Sequence, residues 1–154
     1  MKHVLDLMVE NPPVVAPDLT VRALAEQLLE TGRDGYCVVE DGKLVGVVTT
    51  MDLIFQEKKL RLPTFFTFLD SMVPIGIQKT RAEIQKMTGV TVAEVMSRSP
   101  LTVPFDAAID EVASIMVDRH VSLLPVVREG VLVGEVTKPS LLRAMVERAS
   151  VDHR

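Results

Sequence analysis

Two strand-to-helix junctions hold the polar side chains in this chain that are best spaced to do chemistry. The first reads Gly46-Val47-Val48-Thr49-Thr50-Met51-Asp52-Leu53, and the second Gly134-Glu135-Val136-Thr137-Lys138-Pro139-Ser140-Leu141. In each, a threonine at the end of a strand, after the β-branched Val47-Val48 in the first, is followed three residues later by a second polar side chain. Thr49 is a good N-cap, and Asp52 falls in the first helical turn, where its charge faces the positive end of the helix dipole. That pairing also serves a helix start in its own right. The two junctions are not chemically equal, because the first ends in the carboxylate of Asp52 and the second in the neutral hydroxyl of Ser140.

Little else points to catalysis. His3, His120 and His153 are scattered, with no metal-ligand spacing. No glycine-rich phosphate loop is present. Cys37 is flanked by Tyr36, Val38 and Val39 in what reads as a buried strand, so an inert core thiol is expected rather than a nucleophile. As the single cysteine it excludes an internal disulfide and fits a reducing, cytoplasmic setting. The expectation is a protein that is not an enzyme. The 154 residues are 47% hydrophobic and 25% charged, an ordinary balance for a soluble globular chain. The net charge of −4, without a basic tract, argues against nucleic acid as a partner. No apolar run approaches the roughly 18 residues of a membrane span. Asp6 interrupts the place where an export signal would need its apolar stretch, so neither membrane nor secretion is expected.

The elements around the junctions repeat. Leu5 to Met8 reads as a short helical turn stopped by Asn11-Pro12-Pro13, and Val14-Val15 as a short strand. Thr20 caps a helix with Val21, Leu24, Ala25, Leu28 and Leu29 on one stripe, and Gly32 ends it. Tyr36 to Glu40 and Leu44 to Val48 read as a hairpin about Asp41-Gly42, and Thr49 caps the next helix. The same order returns at a constant offset of 88 residues, Gly46 to Gly134. Val103 lies in the short strand, and Ile109, Val112, Ala113, Met116 and Val117 form the stripe. Leu124 to Val127 and Leu132 to Val136 form a hairpin about Glu129-Gly130. Each half is thus predicted as β-α-β-β-α. A sheet of about three short strands cannot bury both faces alone, so the copies are expected to pack sheet to sheet about a pseudo-twofold axis. The predicted fold is α+β, with a first repeat over 1–59, a helical insert over 60–90 and a second repeat over 91–154. Phe65, Phe68, Leu69 and Met72 share one face of an expected insert helix that roofs the core. Phe66, off that face, is a candidate for a subunit interface.

The duplicated unit, the Asp-Gly and Glu-Gly hairpins, the Gly-Val-Val-Thr-x-x-Asp junction and Leu124-Pro125-Val126-Val127 together resemble the CBS domain, named after cystathionine beta-synthase. The tandem arrangement resembles a free-standing pair of such domains, a Bateman module. The resemblance implies two clefts between the paired sheets, adenosine ligands (AMP, ADP, ATP or S-adenosylmethionine) rather than an obligatory cofactor, and a homodimer. It also implies a sensing role in which the ligand acts on a separate, unknown target protein.

On this resemblance Asp52 matches the ribose-binding acid of the family and Thr49 its accompanying hydroxyl. A carboxylate accepting from both ribose hydroxyls makes charge-assisted bonds worth about 1.5–3 kcal/mol each. Val14 and Val15, with Tyr36 and Cys37, are expected to supply an aliphatic slot and backbone groups for adenine. Arg33, Arg119, His120 and Lys138 are candidates for phosphate contact, with Lys138 aimed at the first cleft from the second junction. Asp34, if it points inward, would instead favour a cationic ligand. The second cleft, with Thr102, Leu124, Pro125, Thr137 and Ser140, is expected to bind weakly or stay empty. The competing reading is a ligand-free interaction module with degenerate clefts.

Overall fold

The computed structural model describes residues 3–60 and 89–152 of the chain. The expected insert helices, including Phe65, Phe66, Phe68, Leu69 and Met72, lie outside the described residues.

Two four-stranded sheets, each backed by helices, make up the described structure. A 3-10 turn at Val4–Asp6 leads into β1 (Val9–Glu10) and β2 (Val14–Val15). Then come α1 (Val21–Thr31), β3 (Gly35–Glu40), β4 (Lys43–Thr49) and α2 (Thr50–Leu60). The second half holds α3 (Val92–Val95), β5 (Ser97–Arg98), β6 (Val103–Pro104), α4 (Ile109–Asp118), β7 (Leu123–Arg128), β8 (Val131–Thr137) and α5 (Lys138–Asp152). Local chemistry explains most of the boundaries. The Thr20 hydroxyl accepts from the Ala23 amide at 3.1 Å, and Gly32 closes α1 with φ +71°. Both hairpins turn through two left-handed residues, Asp41-Gly42 and Glu129-Gly130, the geometry that matches the twist of the flanking strands.

The sheets are not the property of one repeat each. One is ordered β2-β3-β4-β5 and the other β1-β8-β7-β6. The short strand β5, at the start of the second repeat, pairs with β4 of the first, Val47 opposite Ser97. Its counterpart β1 pairs with β8, Val9 opposite Glu135. The predicted β-α-β-β-α unit therefore lacked one strand, and that strand crosses to the other repeat's sheet. Gly46 and Gly134 make the exchange possible. A Cβ at Gly46 would stand 2.6 Å from the Met96 sulfur and 2.8 Å from the Ser97 carbonyl, and one at Gly134 would meet Met8 and Val9 in the same way.

Strand alternation then divides the interior into three parts. Tyr36, Val38 and Val48 point towards α1 and pack with Val15, Leu24, Leu28 and Val92. Val103, Leu124, Val126 and Val136 pack with Val112 and Met116 of α4. The opposite faces meet in a seam where Cys37, Val47 and Leu123 are packed by Leu44 and Leu132, so the repeats join sheet to sheet as expected. Leu29 and its counterpart Val117, the last positions of the two helical stripes, are 86% and 70% exposed instead of buried.

Candidate functional site

The first junction is built as its sequence requires. The Thr49 amide donates to Asp52 Oδ2 at 2.8 Å and the Thr49 hydroxyl to the same oxygen at 3.2 Å, which leaves Oδ1 its lone pairs for a further donor. The Thr50 amide and hydroxyl both donate to the Asp34 carbonyl, at 2.8 and 3.1 Å, and so fix the start of α2 against the loop that precedes β3. Asp52 is half-buried. Burial pushes its carboxyl above the ordinary range, and the two bonds from Thr49 oppose that shift.

A cavity of about 380 Å³ opens beside this junction, between the repeats. Val47, Thr49, Met51 and Asp52 form its first-repeat wall. Ser97, Ser99, Pro100 and Leu101 form the second, and His120 through Leu124 the third. The crossing of β5 brings these stretches together, since Ser97 sits opposite Val47 in the sheet. The volume suits a nucleoside-sized molecule. Among the described residues, the wall combines aliphatic side chains, several hydroxyls, one imidazole and one carboxylate, with no lysine or arginine.

The second junction keeps the backbone and changes the chemistry. The Thr137 amide donates to Ser140 Oγ at 2.8 Å, and that hydroxyl donates to the Thr137 carbonyl at 2.9 Å. Ser140 is buried and closes on its own turn. Nearby, Glu135 is 0% exposed in the seam, with its carboxylate 2.5 Å from Arg33 Nη2. The guanidinium also donates to the Gly35 carbonyl at 3.2 Å and lies 4.8 Å from the Tyr36 ring centroid. The Cys37 thiol donates to the second Glu135 oxygen at 3.8 Å. Burial raises the Glu135 carboxyl, while Arg33 pulls it back. Burial and the neighbouring carboxylate push the Cys37 thiol up to about 12, so its thiolate is scarce at neutral pH.

The grouping of the sequence-predicted site residues changes accordingly. Thr49, Asp52 and His120 lie together on the cavity, and Leu124 joins them rather than Ser140. Val14, Val15, Tyr36 and Cys37 do not line it. Val15 and Tyr36 point to the helix-backed core, Cys37 faces the seam, and Val14 is 45% exposed. Pro125 is buried opposite Glu135 on β8, and Thr102 is exposed beside the Leu101 wall without lining it. Lys138 and Arg119 are exposed off the cavity, and Arg33 is held by Glu135. Lys138 is therefore not on the Asp52 cavity, contrary to expectation. The residues that sequence reasoning missed, Ser97, Ser99, Pro100, Leu101 and Val121 to Leu123, come from a two-residue strand, two short connecting stretches and the first residue of β7, too short to show periodicity. The 88-residue offset was a signal for them only once the strand exchange is known.

Among the described residues no group of three or more histidines, cysteines and acids is placed to hold a metal ion. No described helix is long and apolar enough to cross a membrane.

The fold and this cleft define a tandem pair of CBS domains. The model of the CBS domain family matches residues 4–58 and 92–147, and the chain belongs to that family. It is 32% identical over 146 residues to the CBS domain-containing protein CBSX1, chloroplastic, of Arabidopsis thaliana, with 90% of this chain covered and 61% of the relative. The chain thus spans about three fifths of that relative's length. It also resembles the crystal structure of CBSX2 in complex with AMP, with a TM-score of 0.71 and 29% identity, over 97% of this chain and 99% of that one. The CBS domain pair of protein MJ0100, solved with 5-methylthioadenosine and S-adenosyl-L-methionine, shares the fold at a TM-score of 0.65 and 23% identity, covering 95% and 97% of the two chains.

Proposed function

We propose that the chain is a regulatory module that binds one adenosine-containing ligand in the Asp52 cavity and acts on a separate target protein. The observation that carries this reading is the Thr49–Asp52 pair on the wall of a cavity of about 380 Å³ between the repeats. The likeness to CBSX2, solved with AMP, supports the ligand class. Asp52 Oδ1 would accept from the ribose hydroxyls, the aliphatic wall of Val47, Leu123 and Leu124 would hold the base, and Ser97, Ser99, Ser122 and His120 would meet the 5′ substituent. Among the described residues His120 is the one basic side chain on that wall, so AMP, adenosine or S-adenosylmethionine fits it better than the heavily charged ATP. The role is binding rather than catalysis, in a reducing compartment such as the cytoplasm. The chain works as a homodimer through α2 and α5, where Ile54 and Leu142 are 51% and 61% exposed.

A thermal-shift series with adenosine, AMP, ATP and S-adenosylmethionine tests this. A ligand at one hundred times its Kd adds about 2.7 kcal/mol of stability. A rise in Tm that Asp52→Ala abolishes is the expected result. No shift with any of the four would instead favour an interaction module without a ligand.

A further inference from the structure

The register of the two sheets is identical at the 88-residue offset, so each wall residue of the open cavity has a counterpart at the second junction. Val47 corresponds to Glu135, Val121 to Arg33, Leu124 to Tyr36 and Asp52 to Ser140. At the first junction these positions surround empty space. At the second, the same positions hold a hydrogen-bonded ion pair stacked on a tyrosine ring.

We infer that Arg33 and Glu135 form a built-in plug, an internal occupant of the second cleft that limits this chain to one adenosine-type ligand. The inference rests on the reading of the Asp52 cavity as the adenosine site, and it names the residues that close its mirror image. The chemistry is self-consistent. Glu135 is fully buried and needs a cation. Arg33 reaches across 102 residues of sequence to supply it, with 22% of its side chain left in water. The planar guanidinium then lies against Tyr36, where the open cleft has the wall residue Leu124. A nucleoside entering here would have to displace the guanidinium and leave Glu135 buried and unpaired. Ser140, bonded to Thr137, offers no carboxylate in return.

The test copies the open cleft into the closed one. The triple variant Arg33→Val, Glu135→Val, Ser140→Asp is titrated with adenosine and AMP by calorimetry, alone and with Asp52→Ala added. Two ligands per chain are expected in the triple variant, and one when Asp52 is also removed. Ser140→Asp by itself should add no second site, because the plug remains. A folded triple variant that still binds one ligand, or a second site gained from Ser140→Asp alone, overturns the inference.

A second readout needs neither ligand nor triple variant. Arg33→Ala removes the guanidinium paired with Glu135, whose other oxygen accepts from the Cys37 thiol, and a methanethiolsulfonate reagent should then modify that thiol at least tenfold faster in the native protein. Arg33 lowers the Cys37 pKa, so its loss alone would slow the reaction, and acceleration therefore reports an opened cleft. An unchanged or slower rate, with the circular dichroism spectrum intact, contradicts the plug even if the triple variant does not fold. If the wild type binds neither adenosine nor AMP, the reading of the Asp52 cavity fails, and the thiol rate still decides whether the second cleft is plugged.

Discussion

At the first junction Thr49 and Asp52 line an open cavity, whereas at the second Thr137 and Ser140 bond to each other and the adjoining seam holds the Arg33–Glu135 ion pair. The backbones around them are paired in the same register, down to the bulge between Val38 and Val39 and its counterpart between Val126 and Val127. The difference therefore lies in side chains. A valine at position 47 brings no charge into the seam and forms one aliphatic part of the cavity wall. A glutamate at position 135 cannot stay charged in the same seam without a partner, and the partner that reaches it takes up the space. Differences at three equivalent positions, Val47 and Glu135, Val121 and Arg33, Asp52 and Ser140, thus separate the proposed binding site from a structural clasp.

The comparison breaks most directly at Asp52. Asp52→Ala should weaken adenosine binding by tenfold or more, since two charge-assisted bonds of about 1.5–3 kcal/mol each are at stake. Its cost in stability should be only about 1 kcal/mol, the worth of a helix-start acceptor for Thr49. Calorimetry and a thermal melt on the same variant separate the two, and normal binding would leave Asp52 as a cap alone.

The clasp predicts a change of stability rather than affinity. Glu135→Ala should destabilise the chain by about 1–3 kcal/mol in urea unfolding. That is below the roughly 3–5 kcal/mol of a fully buried pair because Arg33 keeps contact with water. Combining it with Arg33→Ala should recover part of the loss, and strictly additive costs would show that the two do not act as a pair.

Acid should sharpen the contrast further. Asp52 must be ionised to accept two hydroxyl bonds, and burial raises its pKa. Affinity should therefore be full at neutral pH and fall on acidification, starting above the ordinary carboxylate range. Stability carries the opposite sign. A carboxyl whose pKa is raised on folding binds more protons in the native state, so its contribution improves as pH falls through the folded value and is lost as pH rises. Affinity that is flat or rises on acidification would rule out an ionised Asp52 as the acceptor. The smallest effect belongs to Ser140→Ala, which should cost at most about 1 kcal/mol of stability and leave ligand affinity unchanged.

The repeat, its hairpins and its helix starts were legible because each has a local cause: Thr20 and Thr49 accept from or donate within the first turn, and Asp41-Gly42 sets the hairpin. The carboxylate at Asp52 was legible for the same reason. The walls around it were not. The exchange of β1 and β5 depends on glycines at 46 and 134 facing methionines 96 and 8, a long-range fit with no local signature. Without that exchange, the natural assignment put Tyr36 and Cys37 with Asp52, although strand alternation points Tyr36 into the helix-backed core. The Arg33–Glu135 pair, spanning 102 residues, was likewise invisible as a pair, and Arg33 read as a free phosphate ligand.

The stoichiometry of adenosine or AMP binding to the wild-type chain tests the central contrast between the two clefts most directly. Isothermal titration should give one ligand per chain, with the heat abolished by Asp52→Ala and retained by Ser140→Ala. Two equal sites per chain, or one site that survives loss of Asp52, would contradict it.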